Sequence, residues 1–154
     1  MDSILIRPAK LIDLEAINRL ETEAFGAYGY PLFVSRQLFD VHGELMFVAV
    51  HSSQEIIGVC IGAQSAQHPQ AWILSLVVAQ HYQRCGYGKQ LVGHMLTHYA
   101  ANGVDEVRLT VDPTKNQVIR LYERQGFRQI NAEPAYFGVD ESRIVMAIKR
   151  GINY

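Results

Sequence analysis

The spacing of apolar and polar residues divides the chain into alternating helix-like and strand-like segments. Apolar residues at spacings of three and four predict an amphipathic helix after Asp13, which we place at the N-cap. Ile12 and Ile17 flank this cap at the positions of a hydrophobic staple. Further helices are predicted at residues 33–42, at 91–99 with Asn102-Gly103 closing it, and at 116–125, where Gly126 suits the left-handed terminal position.

Short runs of β-branched, aromatic and other apolar residues separate these helices and predict strands. They lie at residues 4–8, 45–51, 56–64, 71–78, 104–111, 127–131 and 143–148. The fourth run is nearly continuous in apolar residues, which is typical of a strand buried on both faces. The order of the elements predicts an α/β (mixed α+β) fold, with a central mixed sheet of about seven strands and about four helices on its faces.

The composition fits one domain at residues 1–154 and narrows the classes of partner. Fourteen basic residues against fifteen acidic ones argue against nucleic acid or an anionic membrane as the main partner. The first seven residues lack the features of a signal peptide, and no apolar run approaches the ~20 residues of a membrane helix. Cys60 and Cys85 form no disulfide framework, so we expect a cytoplasmic protein.

The histidines do not predict a metal site. His94 and His98 are four residues apart on one predicted helix, but Met95 stands where a zinc protease has its glutamate. No third ligand is placed near them by the sequence. We therefore predict that the protein has no bound metal.

The segment between the fourth strand and the long helix has the residues expected of an anion-binding site. Its sequence is Gln83-Arg84-Cys85-Gly86-Tyr87-Gly88-Lys89. A helix N-terminus attracts anions through its unpaired N–H groups and its partial positive charge. Gly86 and Gly88 allow positive φ and remove Cβ atoms where a phosphate must approach the backbone, and Arg84 and Lys89 add positive charge. The segment predicts a cradle for a di- or triphosphate, although two glycines could also shape an ordinary strand-to-helix turn.

Spacing excludes two familiar phosphate loops. A Walker loop would need Gly at position 83 and Ser or Thr at position 90, where the chain has Gln83 and Gln90. A dinucleotide fingerprint would need a third glycine at position 91, where the chain has Leu91.

Two separated motifs resemble those of the GNAT superfamily of N-acetyltransferases. The pattern Gln-x-x-Gly-x-Gly after a Leu-Val-Val strand end resembles its motif A, and Val111–Phe127 resembles its motif B. The order of elements over nearly the whole chain is also similar. Residues 133–146 resemble, in part, the end of Nα-acetyltransferases, including the bacterial ribosomal-protein alanine enzymes, although Phe137 stands where those have a second tyrosine.

The resemblance implies that acetyl-CoA is the co-substrate and that its acetyl group passes to a primary amine by direct attack in a ternary complex. It implies that strand backbone pairs with the pantetheine arm, that the amides from Arg84 to Lys89 hold the pyrophosphate, and that the Val78 N–H contacts the thioester oxygen in a splayed cleft beside the next strand. The cofactor-binding residues implied are Leu76, Val77, Val78, Gln83, Arg84, Cys85, Gly86, Tyr87, Gly88, Lys89 and Asn116.

Tyr122 matches the motif B tyrosine that protonates the departing thiolate, and the alternative is that it only packs. It lies four residues after Val118, so we expect both side chains on one inward face. The family usually has asparagine seven residues before this tyrosine. Lys115 occupies that position and Asn116 follows it, so either residue could fill the role.

No general base is assigned by the sequence. Related amino-terminal acetyltransferases often carry Glu or His where this chain has Thr110, which cannot be a base. Asp112 could act through water, or could simply shape the turn with Pro113. Cys85 beside helix-terminal charge could support a covalent acyl-cysteine route, which direct transfer does not need.

Two aromatic segments are candidates for the acceptor pocket, one containing Tyr30 and one containing Tyr136, although both could instead cover the end of the sheet. The acceptor expected is a protein or peptide N-terminus. A small-molecule amine is the alternative, and a CoA-binding module without catalysis is a third reading. The sequence leaves open whether the protein is a monomer or a homodimer.

Overall fold

The computed structural model describes residues 3–149, in which we find seven strands and four α-helices. In chain order they are β1 (Ile4–Pro8), α1 (Leu14–Phe25), α2 (Leu32–His42), β2 (Met46–His51), β3 (Ile56–Gln64), β4 (Gln70–Val78), α3 (Tyr87–Ala101), β5 (Glu106–Val111), α4 (Asn116–Arg124), β6 (Arg128–Glu133) and β7 (Arg143–Lys149). The predicted order of elements is confirmed, and the predicted strand bounds differ from these by at most two residues.

The strands form a mixed sheet in the order β1-β2-β3-β4-β5-β7-β6, which confirms the predicted fold class. β4 and β5 run parallel, whereas β1 with β2, β2 with β3, β5 with β7 and β6 with β7 are antiparallel. The register of β4 on β5 covers only Gln70–Trp72 against Glu106–Arg108. The rest of β4 therefore extends beyond its paired segment.

The described residues group into two compact units. The first holds the residues up to Ala63 together with Ser75–Met95, and the second holds Gln64–Leu74 and the residues from Leu96 onward. The predicted single domain at 1–154 stays a prediction, and its ends at residues 1–2 and 150–154 lie outside the described residues.

The core of the first unit forms where the apolar stripe of α1 packs on the sheet. Its buried members come from α1 and from one face of β2, β3 and β4, and include Leu14, Ile17, Leu20, Met46, Val48, Val50, Val59, Ile61 and Val77. This confirms the helical spacing that predicted α1.

Asp13 occupies the N-cap position of α1 as predicted, but the expected staple is wrong because Ile12 is 85% exposed. The Asp13 carboxylate does not cap α1. It accepts hydrogen bonds from the Arg7 guanidinium (2.7 Å) and from the Lys10 N–H (2.7 Å). These bonds hold the turn between β1 and α1.

Burial alternates along β4, so the expectation of a strand buried on both faces is wrong. Ala71, Ile73, Ser75 and Val77 are buried, while Leu74 on the opposite face is 36% exposed. A continuous apolar run specifies hydrophobicity but not which elements cover each face. β4 is therefore fully covered on one face only.

No helix in the part of the chain that the structure describes is long and apolar enough to span a bilayer.

Candidate functional site

The turn before α3 exposes its backbone at the helix N-terminus. The Gly86 carbonyl accepts the hydrogen bond of the Gln90 N–H (3.1 Å), so Gly86 is the cap residue and Tyr87 begins the helix. Gly86 has φ +84°, and a Cβ added there would meet nothing within 4 Å. The N–H groups of a first helical turn point out of the helix end, so this backbone is open to an anion.

The two glycines of the turn play different parts. Gly86 adopts the positive φ that both glycines allow, whereas Gly88 lies inside α3 and is not among the positive-φ residues. Arg84 takes the second left-handed position instead, with φ +62°. Gly88 is helical because α3 begins one residue before it, at Tyr87.

Side chains of the turn connect it to the end of β4. The Gln83 amide donates from Nε2 to the Val78 carbonyl (3.0 Å), and the Cys85 thiol lies 3.6 Å from the Gln83 carbonyl. Arg84 and Lys89 are exposed, while the Tyr87 ring is buried and anchors the first turn of α3. The turn thus presents two cationic side chains beside an open backbone.

The last residues of β4 present alternate backbone groups away from β3. The Ala79 N–H donates to the Ile57 carbonyl of β3 (2.8 Å). Because successive residues of a strand direct their backbone groups to opposite sides, Val77 shares this direction, and Leu76 and Val78 point the other way. The paired segment with β5 ends at Trp72. The backbones of Leu76 and Val78 are therefore directed away from β3, beyond the part of β4 that pairs with β5.

Tyr122 lies on α4 and is 5% exposed. Its ring packs edge-on against Phe127, with centroids 5.6 Å apart. The shared inward face expected with Val118 is wrong, since Val118 is 39% exposed. The helix begins with Lys115 at the N-cap and Asn116 as its first residue, and Asn116 is exposed.

Asp112 shapes the turn between β5 and α4. Its Oδ1 accepts hydrogen bonds from the Thr114 N–H (2.9 Å) and from the Thr114 hydroxyl (2.8 Å). These bonds hold the pKa of the Asp112 carboxyl below its usual range. A carboxylate with a lowered pKa is a weaker base, so the turn-shaping alternative accounts for Asp112.

Each of the two predicted acceptor segments makes contacts with neighbouring residues. The Tyr30 N–H donates to Glu21 Oε2 (3.2 Å), and the Tyr30 carbonyl accepts from Asn18 Nδ2 (3.3 Å). The Tyr136 ring lies edge-on to Phe137, with centroids 4.8 Å apart. Arg143 places its guanidinium 4.9 Å from the centre of the Phe137 ring.

Glu21 is a buried residue that the sequence reasoning missed. It is 1% exposed, and burial raises the pKa of its carboxyl. A signal was present, because Glu21 falls four residues after Ile17 and seven after Leu14, on the apolar stripe of α1. A carboxylate at such a position is unusual and indicates a specific partner.

The absence of a metal stays a prediction. Within residues 3–149 there is no cluster of three or more His, Cys, Asp or Glu side chains suited to a metal ion. His94 instead lies edge-on to Phe47, with ring centroids 4.5 Å apart.

Known proteins share both the sequence pattern and the fold. The profile of the acetyltransferase (GNAT) family matches residues 13–127. The [ribosomal protein bS18]-alanine N-acetyltransferase of Haemophilus influenzae is 30% identical over 82 residues, which are 51% of this chain and 56% of that protein. The chain thus spans about half the length of the curated relatives it matches.

Solved structures with low sequence identity show the same fold. Ard1 from Thermoplasma volcanium superposes with a TM-score of 0.87 at 22% identity, covering 95% of this chain and 97% of that one. A chain of the NatC complex bound to Gag peptide and CoA gives 0.84 at 20% identity, covering 96% and 98%. With the profile matched over most of its length, this chain belongs to the GNAT family of acetyltransferases.

Proposed function

We propose that this protein transfers the acetyl group of acetyl-CoA to a primary amine by direct attack in a ternary complex, as a single domain in the cytoplasm. The observation that carries the proposal is the turn at Gly86. There an accessible backbone with positive φ caps α3, and the exposed side chains of Arg84 and Lys89 lie in the same turn. Membership in the GNAT family gives this anion site its chemistry. Nucleic acid and membranes are not proposed as partners.

Acetyl-CoA is held, in this proposal, by the turn and by the end of β4. The main-chain amides from Arg84 to Lys89 bind the pyrophosphate. The strand segment Leu76, Val77 and Val78 pairs with the pantetheine arm through the backbones of Leu76 and Val78, while the Val77 backbone between them faces β3. Gln83 supports this arrangement by fastening the turn to the Val78 carbonyl. Asn116 stays a proposed cofactor contact at the start of α4, with Lys115 as its alternative.

The reaction needs stabilisation of one oxygen and protonation of one sulfur. The amine lone pair attacks the thioester carbon, and the Val78 N–H stabilises the oxyanion that forms. The carbon–sulfur bond then breaks, and Tyr122 gives its phenolic proton to the thiolate. The acetylated nitrogen loses its extra proton, which returns through water to the Tyr122 phenolate. A phenol with a reference pKa of about 10 can donate to a thiolate of about 8.5 when the two are hydrogen-bonded.

The acceptor amine can react without a dedicated general base in the protein. An α-amino group has a reference pKa of about 8, so about a tenth of it is neutral at pH 7. Direct attack also needs no acyl-cysteine. Burial raises the pKa of the Cys60 thiol to about 12, which removes it as a nucleophile, and Cys85 is exposed on the proposed pyrophosphate turn.

We propose a protein or peptide N-terminus as the acceptor, with Tyr30 and Tyr136 in the pocket. Two of the compared proteins support this class: the Haemophilus influenzae relative is a ribosomal-protein alanine N-acetyltransferase, and the NatC structure holds a peptide. The proposal needs only one chain, either as a monomer or within a homodimer.

A cofactor test comes first. We expect acetyl-CoA and CoA, at about 100-fold above their dissociation constants, to raise the melting temperature by roughly 5–10 °C. NAD and ATP should leave it unchanged, because the turn lacks their fingerprints. Differential scanning fluorimetry measures this, and equal shifts from all four ligands would remove the proposed specificity.

An acceptor test follows from the proposed chemistry. We expect release of free CoA thiol from acetyl-CoA to accelerate with peptides that have a free N-terminus, and not with the same peptides after N-terminal acetylation. Polyamines, amino acids and amine antibiotics provide the comparison set. If a small amine is acetylated faster than any peptide, the acceptor is a small-molecule amine. If no amine is acetylated, the protein is a CoA-binding module without catalysis.

A further inference from the structure

Glu21 brings a carboxylate into the interior of the first unit. Its side chain is 1% exposed on the stripe of α1 that otherwise packs apolar residues. Burying a carboxylate is unfavourable unless hydrogen bonds satisfy its oxygens. An apolar residue of similar volume at such a site often gives equal or greater stability. Stability alone therefore does not explain the presence of this residue.

The two carboxylate oxygens join segments that are distant in the sequence. Oε1 accepts a hydrogen bond from the Ser75 hydroxyl on β4, and Oε2 accepts one from the Tyr30 N–H (3.2 Å). Ser75 immediately precedes Leu76, where the backbone proposed to pair with pantetheine begins. Tyr30 belongs to the loop at 26–31 that precedes α2.

The loop lies directly against α1. A Cβ added at Gly29 would come within 2.5 Å of the Glu21 carbonyl oxygen, so only glycine allows this approach. Asn18 Nδ2 holds the Tyr30 carbonyl at 3.3 Å. The Tyr30 backbone is thus held on its N–H by Glu21 and on its carbonyl by Asn18.

We propose that Glu21 is a positioning residue for the acceptor amine, because its carboxylate fixes the Tyr30 loop relative to Ser75 at the start of the pantetheine-pairing segment of β4. This inference rests on the proposed function, in which Tyr30 lines the acceptor pocket. Glu21 does not touch the reacting atoms. Its loss is expected to weaken acceptor binding and to spare the binding of acetyl-CoA.

Glu21→Met tests the proposal, since methionine fills the space and removes both acceptors. We expect the acceptor KM to rise about tenfold, the value for loss of one charge-assisted hydrogen bond, with the acetyl-CoA KM within about twofold of the wild type. Glu21→Gln keeps an amide oxygen for the Tyr30 N–H and should restore most of the acceptor KM. Glu23→Met makes the same change at an exposed position of α1 and should alter neither constant.

Two further measurements keep the test decisive. Hydrogen exchange of the Tyr30 amide should accelerate in Glu21→Met and stay near wild type in Glu21→Gln. Ser75→Ala, which removes only the other partner of the carboxylate, should raise the acceptor KM in the same direction if Glu21→Met does not fold.

Three outcomes would overturn the proposal: an unchanged acceptor KM, equal rises in both KM values, or an unchanged Tyr30 exchange rate in Glu21→Met. A wild-type protein that acetylates no amine would instead overturn the proposed function. In that case the Tyr30 exchange rate alone would decide whether Glu21 positions the loop.

Discussion

Tyr122→Phe is expected to lower kcat about 100-fold, the scale of a missing general acid. The substitution removes only the phenolic hydroxyl, so the ring keeps its edge-on contact with Phe127 and its buried place on α4. Without a proton donor the thiolate must leave unprotonated or take its proton from water. Steady-state kinetics at saturating acetyl-CoA and acceptor measure the effect, and the acetyl-CoA KM should change little.

Tyr99→Phe is the matched control for this experiment. Tyr99 is also a buried tyrosine, and its hydroxyl donates to the Trp72 carbonyl (2.7 Å). Its substitution should cost about 1 kcal/mol of unfolding free energy through the lost hydrogen bond, with kcat near that of the wild type. Equal kcat values for Tyr122→Phe and the wild type would assign Tyr122 to packing alone.

The second large effect is expected at Gly86, where valine should weaken acetyl-CoA binding by at least about tenfold. A side chain there would occupy the open space in which we place the pyrophosphate, and φ +84° is unfavourable for a β-branched residue. The bound phosphates would lose close approach to the backbone amides. Isothermal titration with acetyl-CoA gives the dissociation constant directly.

Gly103→Val separates this binding effect from backbone strain. Gly103 has a similar φ of +76°, and an added Cβ there also meets nothing within 4 Å, but it follows the opposite end of α3. Both variants should lose stability to a similar degree, while only the change at Gly86 should affect acetyl-CoA. Similar dissociation constants for the two variants would place the pyrophosphate elsewhere.

The turn at residues 83–89 shows which features of the site the local sequence predicts and which it does not. Its position before α3 was predictable, because glycines and a helix start are encoded within a few residues. The exact backbone was not predictable, since Arg84 rather than Gly88 adopts positive φ. A residue with a Cβ rarely adopts a left-handed backbone, so the local pattern gives no signal for that conformation at Arg84.

The sequence by itself determined the order of the elements and the mixed sheet, because helical and strand periods and turn residues act over short stretches of chain. Its two motifs carried the resemblance to the family. Only the tertiary structure decided that β4 is covered on one face and which groups the Glu21 carboxylate binds in the interior. Glu21 and Ser75 are 54 residues apart, and their hydrogen bond exists only once α1 has packed on the sheet. Periodicity specifies which side of an element is buried, whereas the partner found there is fixed by contacts between distant segments.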